Sequence, residues 1–295
     1  MTSATPQPPQ PAPTAAEELR DLPVIVTGGA SGLGAAVAAR LLGAGALVTA
    51  LDRRPSPDGL PTVEVDLADG RATEEAVTRV AKEAGGLWAV VTCAGVDVPG
   101  RIDEVDADVW ERIVAVNLLG TAAVVRAALP HLRTSGGRVV TVASTLGHRA
   151  VSDATAYCAS KFGVVGFTRA LTAELRGEVG VTMLTPGGMQ TAFFDDREDR
   201  YKPPPDLGLC DPTAVAEAVA FALTRPAGCE VRELVVTPPG EQSWPCPGTK
   251  GRGRTTLGDF GLCRCARCGR SMDVQICTTR RSPTCSDASH DARGC

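Results

Sequence analysis

The glycine-rich segment at residues 27–34 limits what this chain can fold into more than any other feature. It has the sequence Thr-Gly-Gly-Ala-Ser-Gly-Leu-Gly and lies between an apolar, β-branched run and an Ala- and Leu-rich segment. A strand that turns through glycines into a helix leaves backbone N–H groups unpaired, and the helix dipole favours a phosphate there. Because small-residue turns are common, the segment predicts either a pyrophosphate-binding turn or a purely structural one.

The same alternation of short β-branched runs with longer Ala- and Leu-rich segments continues over residues 22–237. It predicts an α/β fold: a doubly wound parallel sheet of about seven strands with helices on both faces, the Rossmann fold. The predicted strands are residues 24–27, 47–51, 62–65, 88–92, 138–143, 181–184 and 234–237. The predicted helices are residues 34–44, 73–84, 108–132, 155–176 and 213–224.

Both ends of the chain differ in composition from the single domain predicted at residues 21–245. Residues 1–20 are rich in Pro and Ala and predict a flexible leader. Residues 246–295 hold seven of the eleven cysteines and nine Lys or Arg against four Asp. We predict a disordered tail without a metal site, because the cysteine spacing is irregular. The alternatives are a zinc site at Cys263, Cys265, Cys268 and Cys277, or sequence from outside the natural reading frame.

The net charge and hydropathy of the chain limit the kinds of partner that it can bind. A net charge of −4 favours neither a nucleic acid nor an anionic membrane surface as a partner. No apolar stretch approaches the roughly 20 residues needed to span a bilayer. The N-terminus has neither the basic start nor the apolar core of a secretory signal. The sequence therefore predicts a cytoplasmic protein with a small-molecule substrate and no nucleic-acid or membrane partner.

Asp52 bears on the choice of dinucleotide. It ends the predicted strand at residues 47–51, about 20 residues after the glycine turn. A carboxylate there accepts hydrogen bonds from both hydroxyls of the adenosine ribose and repels a 2′-phosphate, which favours NAD. Arg53 and Arg54 offer the alternative of holding that phosphate, but the strand-end position favours Asp52. The next two predicted strands are followed by Asp66 and Leu67, and by the small residues Cys93, Ala94 and Gly95, which suit a backbone that passes a bound cofactor.

Tyr157 and Lys161 are the candidate proton-transfer groups. At i and i+4 of a predicted helix they lie on one face, where an ammonium lowers the pKa of a phenol. Tyr-x-x-x-Lys alone is common on protein surfaces. Here Ser144 precedes the tyrosine by 13 residues, at the end of a predicted strand. That strand end belongs to the sheet edge where such folds bind ligands.

Together these motifs resemble the short-chain dehydrogenase/reductase family in its roughly 250-residue form, over about residues 22–245. The resemblance is carried by residues 27–34, Asn117 within Val-Asn-Leu-Leu-Gly, Ser144, Tyr157, Lys161, and Pro186-Gly187 followed by Thr191. The chain departs from the family at Thr92-Cys93, where Asn-Asn is usual, and at Thr185, where Asn is frequent. Neither departure removes a proton-transfer group.

The resemblance implies a role for each motif residue. Tyr157 is the catalytic acid/base, Lys161 contacts the nicotinamide ribose and lowers the tyrosine pKa, and Ser144 orients the substrate oxygen. Asn117 holds a water in a proton relay. The implied cofactor contacts are Thr27, Gly28, Ser31, Gly32, Leu33, Gly34, Asp52, Arg53, Asp66, Leu67, Cys93, Ala94, Gly95, Tyr157, Lys161, Pro186, Gly187, Met189 and Thr191.

We therefore expect an oxidoreductase that transfers a hydride between NAD(H) and a secondary alcohol or ketone. The alternatives are an NADPH-dependent carbonyl or 3-oxoacyl-thioester reductase and a non-catalytic NAD-sensing scaffold. The family likeness also implies a homodimer or homotetramer packed through the helices at residues 108–132 and 155–176. Candidate walls of the substrate pocket are His148, residues 96–98, Phe193, Phe194 and Tyr201.

Overall fold

Seven parallel strands form one sheet with the order β3-β2-β1-β4-β5-β6-β7 in the computed structural model, which describes residues 19–226 and 228–244. The predicted doubly wound parallel sheet is therefore confirmed, with each strand at its predicted place. The strands are β1 (Pro23–Thr27), β2 (Leu47–Asp52), β3 (Thr62–Glu64), β4 (Ala89–Thr92), β5 (Arg138–Val142), β6 (Gly180–Pro186) and β7 (Glu233–Val236).

The helices also form where the sequence predicts them. They are α1 (Gly32–Gly43), α2 (Gly70–Glu83), α3 (Ala107–Val114), α4 (Thr121–Ser135), α5 (Thr155–Glu174) and α6 (Pro212–Leu223). The single helix expected at residues 108–132 is interrupted by a π-helical turn, Ala115–Gly120, between α3 and α4. Such turns place an extra residue in the helix and often occur at functional sites.

Each face of the sheet has its own apolar core. Successive side chains of a strand point to opposite faces, so Val24 of β1 packs with Leu41 of α1 and Val219 of α6. Its neighbour Ile25 packs on the other face, with residues of α2, α4 and α5 such as Val124. All five of these side chains are at most 1% exposed. This two-sided burial explains why the strands are almost continuously apolar.

The direction of strand addition reverses at β1. The chain adds β2 and β3 on one side of β1 and then crosses to add β4 on the other. In open parallel sheets, ligands bind beyond the carboxyl ends of the strands at such a reversal. The fold therefore predicts a binding cleft beside the ends of β1 and β4.

The structure departs from two expectations: the absence of an apolar stretch long enough to span a bilayer, and the residue at which the folded domain begins. Helix Ala107–Ser135 is long and apolar enough to cross a membrane, by length and composition only, although we expected no such stretch. Half of its most apolar window is buried inside the fold, as in the core helix of a soluble protein. Leu19, within the expected leader, is 1% exposed and packs in the core. Residues 1–18 and 245–295 lie outside the described residues, so the predicted tail stays a prediction.

Candidate active site

A cleft of about 950 Å³ lies at the carboxyl edge of the sheet, where the reversal at β1 predicts it. Of the four predicted catalytic residues, Ser144, Tyr157 and Lys161 line it, and Asn117 is buried behind Val96. Every predicted cofactor contact except Thr27 also lines it. These are Gly28, Ser31, Gly32, Leu33, Gly34, Asp52, Arg53, Asp66, Leu67, Cys93, Ala94, Gly95, Tyr157, Lys161, Pro186, Gly187, Met189 and Thr191.

The glycine turn forms a close-fitting backbone cradle at the N-terminus of α1. Gly28 has a φ of +70°, and a Cβ there would lie 2.9 Å from Ala94 Cα. A Cβ on Gly34 would lie 2.1 Å from the Gly28 carbonyl oxygen. Ser31 precedes the helix without a side-chain capping bond, and the first turn contains no acidic residue. The cradle thus offers backbone N–H groups and a positive dipole end, which fits a pyrophosphate.

Gly34→Ala should therefore weaken NADH binding at least tenfold and lower the melting temperature. The added methyl group has to displace the Gly28 carbonyl, and overpacking of this kind costs about 1–3 kcal/mol. Gly43→Ala at the other end of α1 is the matched control, because a Cβ there meets nothing within 4 Å. NADH fluorescence titration and thermal unfolding check both variants. Equal NADH affinity in the two would contradict the steric explanation.

Asp52 is held between the glycine turn and the end of β2. Its Oδ2 accepts a hydrogen bond from Ala30 N at 3.1 Å, and its Oδ1 accepts one from Arg54 N at 3.2 Å. The carboxylate is partly buried and faces the cleft. Arg53 and Arg54 line the same part of the cleft with exposed side chains. This part of the cleft therefore contains a carboxylate that would repel a 2′-phosphate, Asp52, and two arginines that would attract one.

Asp66 is anchored by an ion pair. Arg112 Nη2 donates to both carboxylate oxygens, at 3.1 and 2.8 Å, and Ala68 N donates to Oδ1 at 3.0 Å. Burial raises the pKa of Asp66, but the Ala68 and Arg112 hydrogen bonds together outweigh it, and the pKa lies below its ordinary value. The ionised Asp66 fixes the backbone that leads into Leu67 at the cleft wall.

Two polar side chains brace the segment after β4. Thr27 Oγ1 accepts a hydrogen bond from Ala94 N at 3.0 Å, which explains why Thr27 is buried away from the cleft. Asn117 Oδ1 accepts from Val96 N at 2.8 Å, and its Nδ2 donates to Val96 O at 2.9 Å and to Ser160 Oγ at 3.0 Å. Asn117 is thus a clamp on the cleft wall. The water-holding role implied by the family resemblance stays a prediction.

Tyr157, Lys161 and Ser144 meet where α5 passes the end of β5. Lys161 is 4% exposed; its Nζ donates to Val142 O at 2.9 Å and lies 5.7 Å from the centroid of the Tyr157 ring. Ser144 hydrogen-bonds to the tyrosine and also accepts from Leu146 N at 3.1 Å. One face of α5 therefore brings the Tyr157 phenol and the Lys161 ammonium to the same end of the cleft, beside the Ser144 hydroxyl.

Burial controls the pKa values of these groups. It raises the pKa of Tyr157 to about 12 although the Ser144 hydrogen bond lowers it, and it lowers the pKa of Lys161 to about 8. The net pKa of Tyr157 therefore lies above its ordinary value because burial dominates, and the lowering expected from Lys161 stays a prediction. Burial also raises the pKa of Cys93 to about 12, so this thiol stays protonated at neutral pH.

The low pKa of Lys161 predicts a pH-dependent contribution to stability. Between its folded value of about 8 and its ordinary value of 10.5, the unfolded chain binds the proton and the folded chain does not. The free energy of unfolding of the wild type, relative to Lys161→Met, should therefore rise with pH across this window, by at most about 3 kcal/mol. Urea unfolding of the ligand-free proteins measures it. Lys82→Met, exposed near the end of α2, is the control and should follow the wild type.

The substrate end of the cleft is formed by loops, and the sequence predicted it only in part. Phe193, Phe194 and Tyr201 line it as predicted. His148 does not: its Nε2 lies 3.4 Å from Thr185 Oγ1, and its ring packs edge-on against Trp244 at 5.2 Å. These contacts hold the imidazole away from the cleft lining.

Arg197 and Glu241 are charged residues of this end that the sequence analysis did not name, whereas Asp97 lies within the predicted wall at residues 96–98. Asp97 pairs with Arg197, and Glu241 accepts from Gly188 N at 3.1 Å. They lie on the loops after β4, β6 and β7, which have no periodic pattern. Of the predicted wall at residues 96–98, Val96 and Asp97 line the cleft.

Comparison with known proteins agrees with this geometry. The family model for short chain dehydrogenases matches residues 23–202, more than half of the chain. The chain belongs to the short chain dehydrogenase family. Among relatives of this short chain dehydrogenase, an uncharacterised oxidoreductase of Staphylococcus aureus strain MW2 is 33% identical over 232 residues, with 75% of this chain and 98% of the relative covered.

Solved structures also resemble this short chain dehydrogenase. The ligand-free aldohexose dehydrogenase of Thermoplasma acidophilum superposes with a TM-score of 0.71 at 25% identity, covering 80% of this chain and 99% of the other. A metagenomic short-chain oxidoreductase in complex with NADP superposes with a TM-score of 0.64 at 26% identity, covering 75% and 99%. The chain is thus an oxidoreductase of this family with a nicotinamide-cofactor fold.

Proposed function

We propose that this protein transfers a hydride between NAD(H) and a secondary alcohol or ketone, with Tyr157 as the acid/base. The observation that carries the proposal is the position of Tyr157, Lys161 and Ser144 in the same cleft as the glycine turn. An alcohol oxygen between Ser144 and Tyr157 lies within reach of both hydroxyl groups. One of the solved relatives is called an aldohexose dehydrogenase, which supports alcohols as substrates.

The residues that would hold the cofactor follow the cleft from end to end. The turn from Gly28 to Gly34 takes the pyrophosphate, and Asp52 takes the adenosine ribose. Lys161 takes the nicotinamide ribose, and the segment from Pro186 to Thr191 borders the nicotinamide. NAD⁺, when bound, supplies the hydride acceptor for the carbinol carbon.

The chain's own residues supply orientation and proton transfer. Ser144 hydrogen-bonds the substrate oxygen, and Tyr157 takes the proton from the substrate hydroxyl during oxidation or returns it during reduction. A phenol whose burial raises its pKa to about 12 becomes an effective base at neutral pH only when a cation lowers that value. The Lys161 ammonium, 5.7 Å from the tyrosine ring, is the cation on the same helix face.

The preference for NAD rests on Asp52. Its carboxylate is fixed by Ala30 and Arg54 at the end of β2, where it hydrogen-bonds ribose hydroxyls and repels a 2′-phosphate. The second candidate is an NADPH-dependent carbonyl reductase. Arg53 and Arg54 in the same part of the cleft favour it, and one solved relative is in complex with NADP.

A substrate screen tests the proposed function. Purified protein is mixed with NAD⁺ and a panel of secondary alcohols, sugars and steroids, and NADH formation is followed by absorbance. Turnover of at least one alcohol by the wild type, with a kcat lowered roughly 10³-fold in Tyr157→Phe, supports the proposal. If the wild type turns over no alcohol and reduces no ketone while NADH still binds tightly, the non-catalytic scaffold takes its place.

We further propose that the protein is a cytoplasmic homodimer or homotetramer. Leu119 in the π-helical turn and Phe162 on α5 are 57% and 44% exposed, although both are large and apolar. A second copy of the chain packed on these neighbouring helices would cover them. The free thiols of Cys93, Cys158, Cys210 and Cys229 are consistent with a reducing compartment. Light scattering on the eluted protein should give the mass of two or four chains.

A further inference from the structure

Asp97 and Arg197 form an ion pair in the wall of the cleft. Arg197 Nη2 donates to Asp97 Oδ2 at 2.8 Å, and the two side chains are only 13% and 5% exposed. The pair joins the loop after β4 to the loop after β6. Both charges affect the pKa of Tyr157, so the pair lies beside the proposed proton-transfer group.

The ion pair leaves one donor and one acceptor unused. In the exposed Arg101–Asp103 pair, Nε and Nη2 each bind one carboxylate oxygen, at 3.0 and 3.2 Å. In the Arg197–Asp97 pair only Nη2 and Oδ2 meet, and Arg197 Nε and Asp97 Oδ1 are buried without a hydrogen-bond partner. Buried polar groups without a partner are rare in proteins, because each destabilises the fold. Both residues line the cleft.

The charge of the pair limits what can bind there. Asp97 neutralises Arg197, so an anionic substrate group gains no free cation from this pair, and a carboxylate at Nε would approach Asp97 Oδ1. The guanidinium also packs against the rings of Phe193 and Phe194, at 4.8 and 4.7 Å. A hydroxyl group fits both unused atoms, since it accepts from Nε–H and donates to Oδ1.

We propose that Asp97 and Arg197 determine specificity by binding a second, uncharged hydroxyl group that the substrate carries close to the reacting one. The substrate class is then a diol, a polyol or the corresponding hydroxyketone. This inference rests on the proposed function, because Tyr157 defines the reacting hydroxyl. The two residues orient the substrate and take no part in proton transfer.

Substrates with the same ring skeleton test the proposal. The set is cyclohexanol, 1,2- and 1,3-cyclohexanediol, and 2-hydroxycyclohexanecarboxylate. The wild type should oxidise the better diol with a kcat/KM at least about tenfold above that of cyclohexanol, because hydrogen bonds to charged groups discriminate this strongly. It should discriminate against the carboxylate. Isothermal titration of the NAD⁺-loaded Tyr157→Phe protein measures the same preference as binding.

Two variants distinguish substrate recognition by the Asp97–Arg197 pair from a purely structural role of the pair. Asp97→Leu combined with Arg197→Met removes both charges together, so no unpaired charge stays buried, and the diol-to-cyclohexanol ratio should fall to within about threefold of one. Asp97→Asn leaves the guanidinium charge uncompensated, so the carboxylate-to-diol ratio should rise at least about tenfold. If the pair were only structural, Asp97→Asn would not shift the substrate preference from the neutral diol toward the anionic carboxylate. The same double substitution at Asp103 and Arg101, outside the cleft, is the matched control and should keep the wild-type ratios.

Failure of the inference is distinguishable from failure of the proposed function. If the wild type oxidises cyclohexanol and the diols equally, or if Asp97→Asn gains nothing on the carboxylate, the inference is overturned and the oxidoreductase remains. If no substrate is oxidised, the proposed function fails. The titration then still decides the inference, because equal binding of cyclohexanol and the diols overturns it and tighter diol binding supports it.

Discussion

Tyr157→Phe should lower kcat roughly 10³-fold while the Kd for NADH stays within about threefold of the wild-type value. The substitution removes one hydroxyl and leaves the ring packed 5.9 Å from the Phe193 ring. Because it also removes a buried hydrogen bond with Ser144, we expect about 1 kcal/mol less stability, which is too little to unfold the protein. Steady-state kinetics, NADH fluorescence titration and thermal unfolding measure these three quantities.

Tyr201→Phe is the comparison for this variant, because Tyr201 is the other tyrosine of the chain and lies on the substrate loop. It should lose less than about tenfold in kcat, since it lies away from Lys161 and Ser144. Similar losses in both variants would mean that the phenol of Tyr157 has no special part in the reaction. In that case the acid/base has to be sought elsewhere in the cleft.

Asp52→Asn should change the ratio of kcat/KM for NADP⁺ to that for NAD⁺ by about 100-fold. The amide keeps an acceptor for Ala30 N, so the turn stays in place while the charge disappears. Loss of charged hydrogen bonds to the ribose lowers activity with NAD⁺ about tenfold, and loss of repulsion toward the 2′-phosphate raises activity with NADP⁺ by a similar factor. Steady-state kinetics with both cofactors give the ratio.

Asp58→Asn, on the exposed loop after β2, controls for a general change of surface charge and should leave the ratio as it is. Adding Arg53→Gln to Asp52→Asn should reduce the gain with NADP⁺, because that arginine then holds the phosphate. A wild type that already prefers NADP⁺ would overturn the assignment of NAD and favour the NADPH-dependent reductase.

The parts of this protein that follow from sequence are those fixed by local physics. The β-branched and Ala-rich runs predicted all seven strands, because a strand buried on both faces has to be apolar throughout. The glycines of the turn are required where backbone passes within contact distance of backbone, as at Gly34. The helical i, i+4 spacing was enough to place Tyr157 and Lys161 together.

What did not follow depends on contacts between distant loops. Asp97 and Arg197 are 100 residues apart on segments without a periodic pattern, so nothing in the sequence pairs them. The direction of the Tyr157 pKa shift depends on how deeply neighbouring loops bury the phenol. The orientation of His148 depends on Trp244, which arrives from the far end of the domain.

The clamp formed by Asn117 has a consequence for how the two halves of the cleft are connected. By donating to the carbonyl and accepting from the N–H of Val96, its amide pairs with that residue as a neighbouring β-strand would. The side chain thus acts as a one-residue strand that continues the hydrogen-bonded alignment of β4 beyond Thr92. Asp97, the next residue, therefore follows a residue whose N–H and C=O are both hydrogen-bonded, although it belongs to a loop. The predicted cofactor contacts Ala94 and Gly95 and the substrate-end residue Asp97 therefore lie on one segment, which Asn117 holds in place.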